Sequence, residues 1–403
     1  MTTTADVADA GTRSAGGAAR PRDVEKTVVV LLFALVPCAF VGVVLGPVQL
    51  TGVAWLVGLA LTARALWRPV SPAVLRRLGP YLVFASVAAL TMSWSASTRG
   101  VLTWVQLLAP VPAFLLGAQL SDRQGVLRAA ARTGQVAIGL AVILVLADRL
   151  GLLPAALPLS ARPMAIALVP LIVVATMSTS RWWTAVLSAA VVGAAVVTGS
   201  RTAAVVLLIV VALSPSWRVG RRGRVALISA AVLAFLAFST TSAFRERFFF
   251  SDDATLGDAL TGSSQLNTAG RRELWPQLVE QCQQTTWFGR GVGKAGELAG
   301  ELTLGVLKHP HNDYLRTWCD VGLFGAVPFW LFFALAGVQG VRLARRGSAL
   351  GAASVQLVLG LGLLAMTDNV IIYTAYFMVP AALVLGCAVG AARSEDDVGR
   401  VAV

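Results

Sequence analysis

Charged residues are scarce in this chain of 403 residues: they make up 13% of it, whereas hydrophobic residues make up 57%. Soluble globular proteins carry about 25% charged residues, so the composition excludes a soluble enzyme and a disordered protein. The chain has only four cysteines, too few for a disulfide scaffold. A mean hydropathy of +0.75 points instead to a polytopic membrane protein.

Histidine and cysteine, the usual metal ligands, are equally rare. His309 and His311 are the only histidines, and a structural zinc ion normally takes four nitrogen or sulfur ligands. Cys282 and Cys319 lie on one side of a long polar connection and could pair, although no framework spacing supports a disulfide there. The two remaining cysteines lie in apolar runs and are expected to be inert packing residues.

Long apolar runs dominate the chain, and they lack the alternation of membrane β-strands. A helix needs about 20 apolar residues to cross a bilayer at a rise of ~1.5 Å per residue. The sequence therefore predicts an all-α polytopic membrane protein with about twelve transmembrane helices. The runs lie at 27–45, 48–66, 78–92, 101–120, 131–150, 161–178, 182–198, 202–213, 224–240, 319–341, 349–366 and 370–391.

The placement of basic residues predicts which ends of these helices face the cytoplasm. Arginine and lysine crowd into alternate connections such as 64–77, 218–224 and 342–346. Under the positive-inside rule, both termini are then cytoplasmic. This topology explains most of the net charge of +13, so nucleic acid is not an expected partner. The short loops on the other side carry only Arg99, Arg149, Arg162 and Arg201.

One connection is much longer than the others and is expected to carry the chemistry. It spans residues 241–318 and is predicted to be an extracytoplasmic catalytic loop between spans nine and ten. Spans one to nine occupy 27–240, and spans ten to twelve occupy 319–391. A disordered cytoplasmic tail is predicted at 1–26 and a second cytoplasmic tail at 392–403. No cleavable signal is expected, since the first apolar run is interpreted as an anchor.

A histidine-containing stretch just before the tenth span is the first candidate site. His311 lies in HPHNDYLRTWCDVGLFG, residues 309–325, and an imidazole there can act as a base because its unperturbed pKa is about 6.5. The alternative is a surface histidine beside a helix N-cap, with Asn312 and Asp313 as capping residues. Taken alone, the residues favour this second interpretation.

Two arginine-bearing stretches indicate an anion site. Arg201 follows Gly199 and Ser200 in a tight turn, where the N–H groups and dipole of the next helix would add to its charge. A snorkelling arginine is an equally good interpretation. Arg271 and Arg272 are adjacent and could bind phosphate bidentately, or they could lie on a solvated amphipathic helix at the membrane surface.

Together these stretches resemble the O-antigen ligase and polymerase superfamily, whose members transfer glycans from a polyprenyl-pyrophosphate carrier in the membrane. Residues 309–325 resemble its His-Asn-x9-Gly-x-x-Gly motif. One departure is ARPMA at 161–165, where many members carry an Asn-Pro-Asn-like stretch. Four shorter stretches also resemble family motifs. Gly270-Arg271 with Trp275 resembles a Gly-Arg-x-x-x-Trp signature, and GRGVG at 289–293 resembles a Gly-x-Gly-x-Gly segment. GSR at 199–201 resembles a Ser-Arg turn, and MSWSASTRG at 92–100 resembles a Trp-Ser stretch.

The resemblance implies an inverting, metal-independent glycosyltransferase that uses no cofactor. The donor would be a polyprenyl-pyrophosphate-linked glycan and the acceptor a glycan or lipid. The enzyme would lie in the bacterial cytoplasmic membrane with its active site extracytoplasmic. His311 would be the catalytic base or would orient the acceptor, and Arg201 and Arg271 would clamp the pyrophosphate. Arg272 and Asn312 are weaker candidates for substrate binding, and no metal ligand is expected.

A lipid-linked glycan flippase or another polytopic transporter is the main alternative. Ion-coupled transporters usually place ionisable residues within their spans. Here the long polar side chains inside the predicted spans are only Gln106, Gln135, Gln339 and Gln356, so a glycosyltransferase is favoured. A non-catalytic scaffold ranks third, because it would not need a basic outer loop. The motifs leave open whether the enzyme is a ligase or a polymerase; composition weakly favours polymerising an exopolysaccharide or capsule.

Overall fold

The computed structural model describes residues 21–45, 48–120, 122–154, 157–214 and 270–401. Within these ranges the chain is almost wholly helical, which supports the predicted fold class. The predicted ninth span, 224–240, and the first part of the predicted long loop, 241–269, lie outside the described residues.

Fourteen α-helices occur in the described part of the chain. A two-stranded antiparallel ladder pairs Val44–Leu45 with Val48–Gln49. Short 3-10 helices cover Val36–Ala39, Arg64–Trp67 and Val370–Ile372, and a π-helical turn covers Thr374–Met378. The α-helices are α1 (Pro21–Ala34), α2 (Leu50–Ala63), α3 (Pro72–Ser95), α4 (Thr98–Leu108), α5 (Pro110–Gln119), α6 (Arg123–Arg149), α7 (Ala161–Thr176), α8 (Arg181–Val197), α9 (Arg201–Ala212), α10 (Arg271–Gln283), α11 (Lys294–Leu302), α12 (Asp313–Arg345), α13 (Ala349–Ala365) and α14 (Val379–Val401).

Several of these helices are long and apolar enough to cross a membrane. In the described ranges five segments meet that requirement, and α7, α8, α9 and α13 are apolar but shorter. The protein is therefore a helical, multi-pass membrane protein, while the count of twelve spans stays a prediction. The five segments are Pro72–Ser95, Thr98–Gln119, Arg123–Arg149, Asp313–Arg345 and Thr374–Ala392.

Three predicted boundaries differ from the structure for identifiable reasons. Helix α1 begins at Pro21, inside the predicted tail 1–26, and ends before a 3-10 turn that contains Pro37. The run 101–120 is divided at Pro110, which starts α5, because proline has no N–H to continue a helix. Helix α12 begins at Asp313, whereas the tenth span is predicted to begin at 319. The long connection before this helix therefore ends at residue 312 and not at 318.

The centre of the bundle is α7, whose residues from Met164 to Thr176 are all buried. A helix that is apolar on every side is stable only when other helices surround it. The α5–α14 crossing relies on small residues: a Cβ added to Gly117 would lie 2.1 Å from the Leu383 carbonyl oxygen, and one on Gly386 would lie 2.0 Å from that of Phe114. These glycines allow the two backbones to approach closely.

The GRGVG segment, residues 289–293, packs the connection before α12 against the helix bundle. A Cβ added to Gly289 would lie 2.5 Å from the Asp320 carbonyl oxygen, and one on Gly291 would lie 1.7 Å from Ser95 Oγ. Gly322 has a φ of 62°, so α12 is kinked where this segment crosses it. The glycines of two family-like motifs are therefore explained by the close contact of the 289–293 segment with the Ser95 side chain of α3 and with the backbone of α12.

A disulfide between Cys282 and Cys319 reinforces the same contact by joining the end of α10 to α12. Sequence spacing left this pairing open, and only the fold brings the two thiols together. The Arg290 N–H also donates to the Cys319 carbonyl oxygen at 2.8 Å. Residues between the two cysteines, which include His309 and His311, are thus closed into one loop.

Replacing Cys282 and Cys319 together by serine is expected to lower the stability of this loop. Closing a loop of 37 residues stabilises a fold by roughly 2–4 kcal/mol, mainly by restricting the unfolded chain. We expect a lower Tm in detergent and faster proteolytic cleavage between residues 283 and 312. The matched control replaces Cys38 by serine, since this cysteine is free. Equal Tm and equal cleavage in both variants would contradict a structural role for the disulfide.

Candidate functional site

Five segments of the chain meet at one end of the helix bundle. They are the N-termini of α7, α9 and α10, the turn at 309–312, and the stretch 367–373 that follows α13. Thr202 Oγ1 and Thr367 Oγ1 lie 2.7 Å apart and join α9 to this stretch. Three N-terminal helix ends in one place concentrate partial positive charge, and each carries an arginine in its first two residues.

The Asn369 side chain holds His311 in an unusual backbone conformation. His311 has a φ of 53°, a left-handed value that is uncommon for residues other than glycine. Its backbone N–H donates to Asn369 Oδ1 at 2.9 Å, and its ring Nδ1 lies 2.7 Å from Asn369 Nδ2. Asn369 is itself fully buried, so the partner that holds the imidazole is fixed in position by its surroundings.

The two contacts of Asn369 also determine the proton position on His311. A backbone N–H can only donate, so the amide oxygen must face it and the amide NH₂ must face Nδ1. Nδ1 therefore accepts a hydrogen bond in this arrangement, and the proton of a neutral imidazole lies on Nε2. In this state His311 can donate from Nε2 but cannot accept there.

Asp368 is the second partner of His311. Its Oδ1 lies 3.9 Å from His311 Nδ1, and its Oδ2 accepts a hydrogen bond of 2.9 Å from Arg162 Nε. Burial alone would raise the pKa of Asp368, but His311 and the Arg162 charge outweigh burial and lower it. Asp368 is therefore an ionised carboxylate within reach of the imidazole.

The environment keeps His311 neutral at physiological pH. Burial lowers its pKa, Asp368 opposes this effect, and the charges of Arg162 and Arg271 lower the pKa further. A base must be unprotonated before it can act, so this environment suits a general base. The neighbouring carboxylate would stabilise the imidazolium that forms when the ring takes up a proton.

Arg162, Arg201 and Arg271 form a cluster of positive charge beside His311, which we call the arginine cluster. The charges of Arg162 and Arg271 act on His311, and Arg201 joins the cluster through Arg271. Burial lowers the pKa of Arg271, and the Arg162 and Arg201 charges lower it further, while Asp368 opposes them. The Nε of Arg271 is buried and makes no hydrogen bond within the described residues. Like charges held together repel each other, so the cluster is suited to binding an anion with more than one negative charge.

The remaining predicted residues occupy different positions. Arg272 is exposed, whereas Arg271 beside it is partly buried. Asn312 caps α12, because its Oδ1 accepts from the Leu315 N–H at 3.0 Å; only its amide nitrogen could serve a ligand. His309 is partly buried, and burial with the Arg316 and Arg99 charges lowers its pKa to about 3. It is thus neutral but has no contact with Asn369.

The turn that carries the histidines is also held by hydrogen bonds from two side chains outside it. Trp275 Nε1 donates to the Pro310 carbonyl oxygen at 2.7 Å, and Arg99 Nη2 donates to the Lys308 carbonyl oxygen at 3.0 Å. Trp275 and Arg99 belong to stretches that resemble family motifs, and here they position the turn. Within the described residues no group of three or more His, Cys, Asp or Glu side chains is arranged to share a metal ion.

Sequence reasoning missed three residues of this site: Arg162, Asp368 and Asn369. Arg162 lies in ARPMA, the stretch that departs from the family pattern, where the sequence indicates only a basic residue of a short loop. Asp368 and Asn369 follow the apolar run of α13, where a polar pair is ordinary. The signal available in the sequence was weak: an acid–amide pair after an apolar run, in a connection that the predicted topology puts on the same side as the three arginines.

Part of this chain matches a known protein family. Residues 183–330 match the family model described as O-Antigen ligase. The matched stretch contains Arg201, Arg271 and His311, while Arg162 and Asp368 lie outside it. No curated protein matches the chain at a significant level.

Proposed function

We propose how the chain acts from the match of its residues 183–330 to the O-antigen ligase family model, which agrees with the resemblance of its motifs. It would transfer a glycan from a polyprenyl-pyrophosphate carrier to an acceptor hydroxyl, by a ligase or polymerase reaction. The observation that carries the proposal is a neutral, buried His311 next to Asp368 and the arginine cluster.

The arginine cluster would bind the pyrophosphate of the donor. When the anomeric C–O bond breaks, both electrons go to the pyrophosphate oxygen, and negative charge grows there. Fixed guanidinium groups stabilise this charge best when they are held in place before the reaction. Arg162 is held by Asp368, and Arg271 is held partly buried at the start of α10. Attack from the face opposite the leaving group would invert the anomeric carbon.

His311 would take the proton of the acceptor hydroxyl on Nε2. The proton of the neutral ring must then lie on Nδ1, where Asp368 can accept it. In the structure, Nδ1 accepts from Asn369, so the ring must move about 1 Å towards Asp368 to reach the distance of a charge-assisted hydrogen bond. We propose that Asp368 stabilises the form that acts as a base, and that Asn369 stabilises the resting form.

The membrane setting follows from the donor. A long apolar carrier is accessible only from within a bilayer, and the apolar helices α3 to α9 and α12 to α14 supply the surface that such a substrate requires. We propose that the enzyme lies in the bacterial cytoplasmic membrane with both termini cytoplasmic. The arginine cluster would then face the extracytoplasmic side, on which the predicted topology puts Arg162 and Arg201.

Reconstitution of the full chain with a polyprenyl-pyrophosphate oligosaccharide tests the proposal directly. We expect release of polyprenyl pyrophosphate and growth of the acceptor, and no change when EDTA is added. Addition of one oligosaccharide to an acceptor indicates a ligase, whereas a ladder of products indicates a polymerase. Movement of intact lipid-linked glycan between leaflets without any new glycosidic bond would favour a flippase and overturn the proposal.

Replacing Asp368 by asparagine is expected to lower the transfer rate about 10–100-fold, because the imidazolium loses its counter-charge. The Asp368 carboxylate raises the pKa of His311, so its removal lowers that pKa. The acid limb of the pH–rate profile should therefore move to lower pH. The comparison variant Asn369→Ala removes the resting partner of Nδ1 together with the acceptor of the His311 N–H. We expect it to lower the rate less than Asp368→Asn does and to leave the acid limb in place, because it removes no charge.

The opposite pattern would overturn the assignment of these two residues. A large loss in Asn369→Ala with little loss in Asp368→Asn would mean that His311 acts as an Nε2–H donor that orients the acceptor. An unchanged acid limb in Asp368→Asn would mean that the carboxylate serves only the local fold.

A further inference from the structure

A second feature lies at the other end of the bundle, between α6 and α8. It is a groove of about 830 Å³ that opens on the outer surface of the helices. Arg128, Arg132 and the turn 178–180 lie around one end of it, and apolar residues of α6 and α8 line the rest. We call this feature the α6–α8 groove.

The charged end of the groove is far from the candidate active site. Helix α6 ends at Arg149, whose guanidinium contacts the Val197 carbonyl oxygen just before the turn that carries Arg201. Arg132 lies 17 residues earlier in the same helix, a distance of roughly 25 Å at helical rise. The groove therefore belongs to a separate site at the opposite membrane face.

The charge of the groove selects for an anion. Arg128 and Arg132 are four residues apart, so they lie on the same face of α6, and both are exposed. None of the described residues that line the groove is acidic. The nearest acidic residue in sequence is Asp122, and its carboxylate is used to cap α6 by accepting from the Gly125 N–H at 2.9 Å.

The remaining surface of the groove matches a lipid tail rather than a soluble anion. Val136 is 73% exposed and Ile143 is 63% exposed, and they continue the line of the two arginines along α6. Trp183, at the start of α8, is 58% exposed, and exposed indole rings of membrane proteins concentrate at the membrane interface. A charged head next to an apolar channel is the pattern of a phospholipid.

We propose that the α6–α8 groove binds an anionic phospholipid. Its phosphate would lie between Arg128 and Arg132, with hydroxyl groups of the 178–180 turn as further donors, and one acyl chain would lie along α6 and α8. Basic sites between helices on the cytoplasmic side are a recurrent form of lipid-headgroup recognition. This proposal is independent of the proposed glycosyltransferase activity.

The test compares phosphatidylglycerol with phosphatidylcholine of the same acyl chains, added to the full chain in detergent. Native mass spectrometry measures the bound lipid, and thermal melting measures the shift in Tm. We expect tighter binding of phosphatidylglycerol and a higher Tm with that lipid only. The variant R128Q/R132Q should weaken phosphatidylglycerol binding roughly 10–30-fold, as expected for two arginines at a lipid headgroup.

Two further variants separate the effect of the groove from the effect of total charge. R342Q/R345Q removes two exposed arginines from the last turn of α12, outside the groove, and should leave the affinity within about twofold. Gly139→Leu fills the apolar part, since nothing lies within 4 Å of an added Cβ there, and should weaken binding while keeping both arginines. Equal affinity for the two lipids, or equal losses in R128Q/R132Q and R342Q/R345Q, would overturn the proposal.

Discussion

Replacement of His311 by alanine is expected to abolish glycan transfer while the protein still inserts into the membrane and folds. A positioned histidine that acts as a general base contributes about 10²–10⁴-fold to a rate, so the variant should retain at most about 1% of the activity. The fold should persist, because α12 is capped by Asn312 and tied to the 367–373 stretch by Asp313, which accepts from the Ile371 N–H at 2.9 Å.

The neighbouring histidine provides the matched control. His309 lies two residues away, is also partly buried and is also neutral, but it has no contact with Asn369. We expect His309→Ala to keep most of the transfer rate, even if its Tm falls. Transfer should be measured with purified, reconstituted protein, and donor binding should be measured separately for each variant.

The pH dependence of the wild-type enzyme belongs to the same prediction. Burial and two arginines lower the pKa of His311, so the ring stays neutral until the pH falls below the ordinary imidazole value of about 6.5. The rate should be flat from neutral pH down to that region and should fall only at lower pH. Normal transfer by a well-folded His311→Ala variant would refute the role of the imidazole.

The second large effect is expected at Arg271. Replacing it by alanine should reduce transfer about 10²–10³-fold, the typical result of removing one preorganised group that stabilises charge in the transition state. The pKa of Arg271 is lowered by burial and by Arg162 and Arg201, which places it inside the arginine cluster. Lysine at this position keeps the charge but loses the planar donor geometry, so Arg271→Lys should recover only part of the rate.

The adjacent Arg272 separates the effect of position from the effect of charge. Both residues lie in the first turn of α10, but Arg272 is exposed. Arg272→Ala removes the same charge from the same helix end and should lower the rate by less than about tenfold. Equal losses in Arg271→Ala and Arg272→Ala would mean that the loop attracts the donor through its overall charge.

A second readout distinguishes a catalytic role of Arg271 from a structural one. The Arg271 charge lowers the pKa of His311, so its removal should raise that pKa and move the acid limb of the pH–rate profile to higher pH. This shift is opposite in sign to the one expected for Asp368→Asn. A lower rate with an unmoved acid limb would mean that the Arg271 charge does not act on His311.

The amino-acid sequence by itself determined the class of the protein and the first members of its site. Apolar runs without strand alternation can bury themselves only as helices in a bilayer, so the fold class followed from composition. His311, Arg201 and Arg271 stand in short motifs that can be read locally. The N-cap of α12 could also be read from the sequence, since asparagine is a typical capping residue and Asn312 caps this helix.

Only the tertiary structure decided which residues surround the imidazole. Arg162 and Asp368 are 206 residues apart in the chain, and neither lies in a recognisable local pattern. Asn369 and His311 are 58 residues apart, and their contact depends on the packing of α12 against α13. A hydrogen bond between distant residues leaves no periodicity in the sequence, because the fold alone brings its donor and acceptor together.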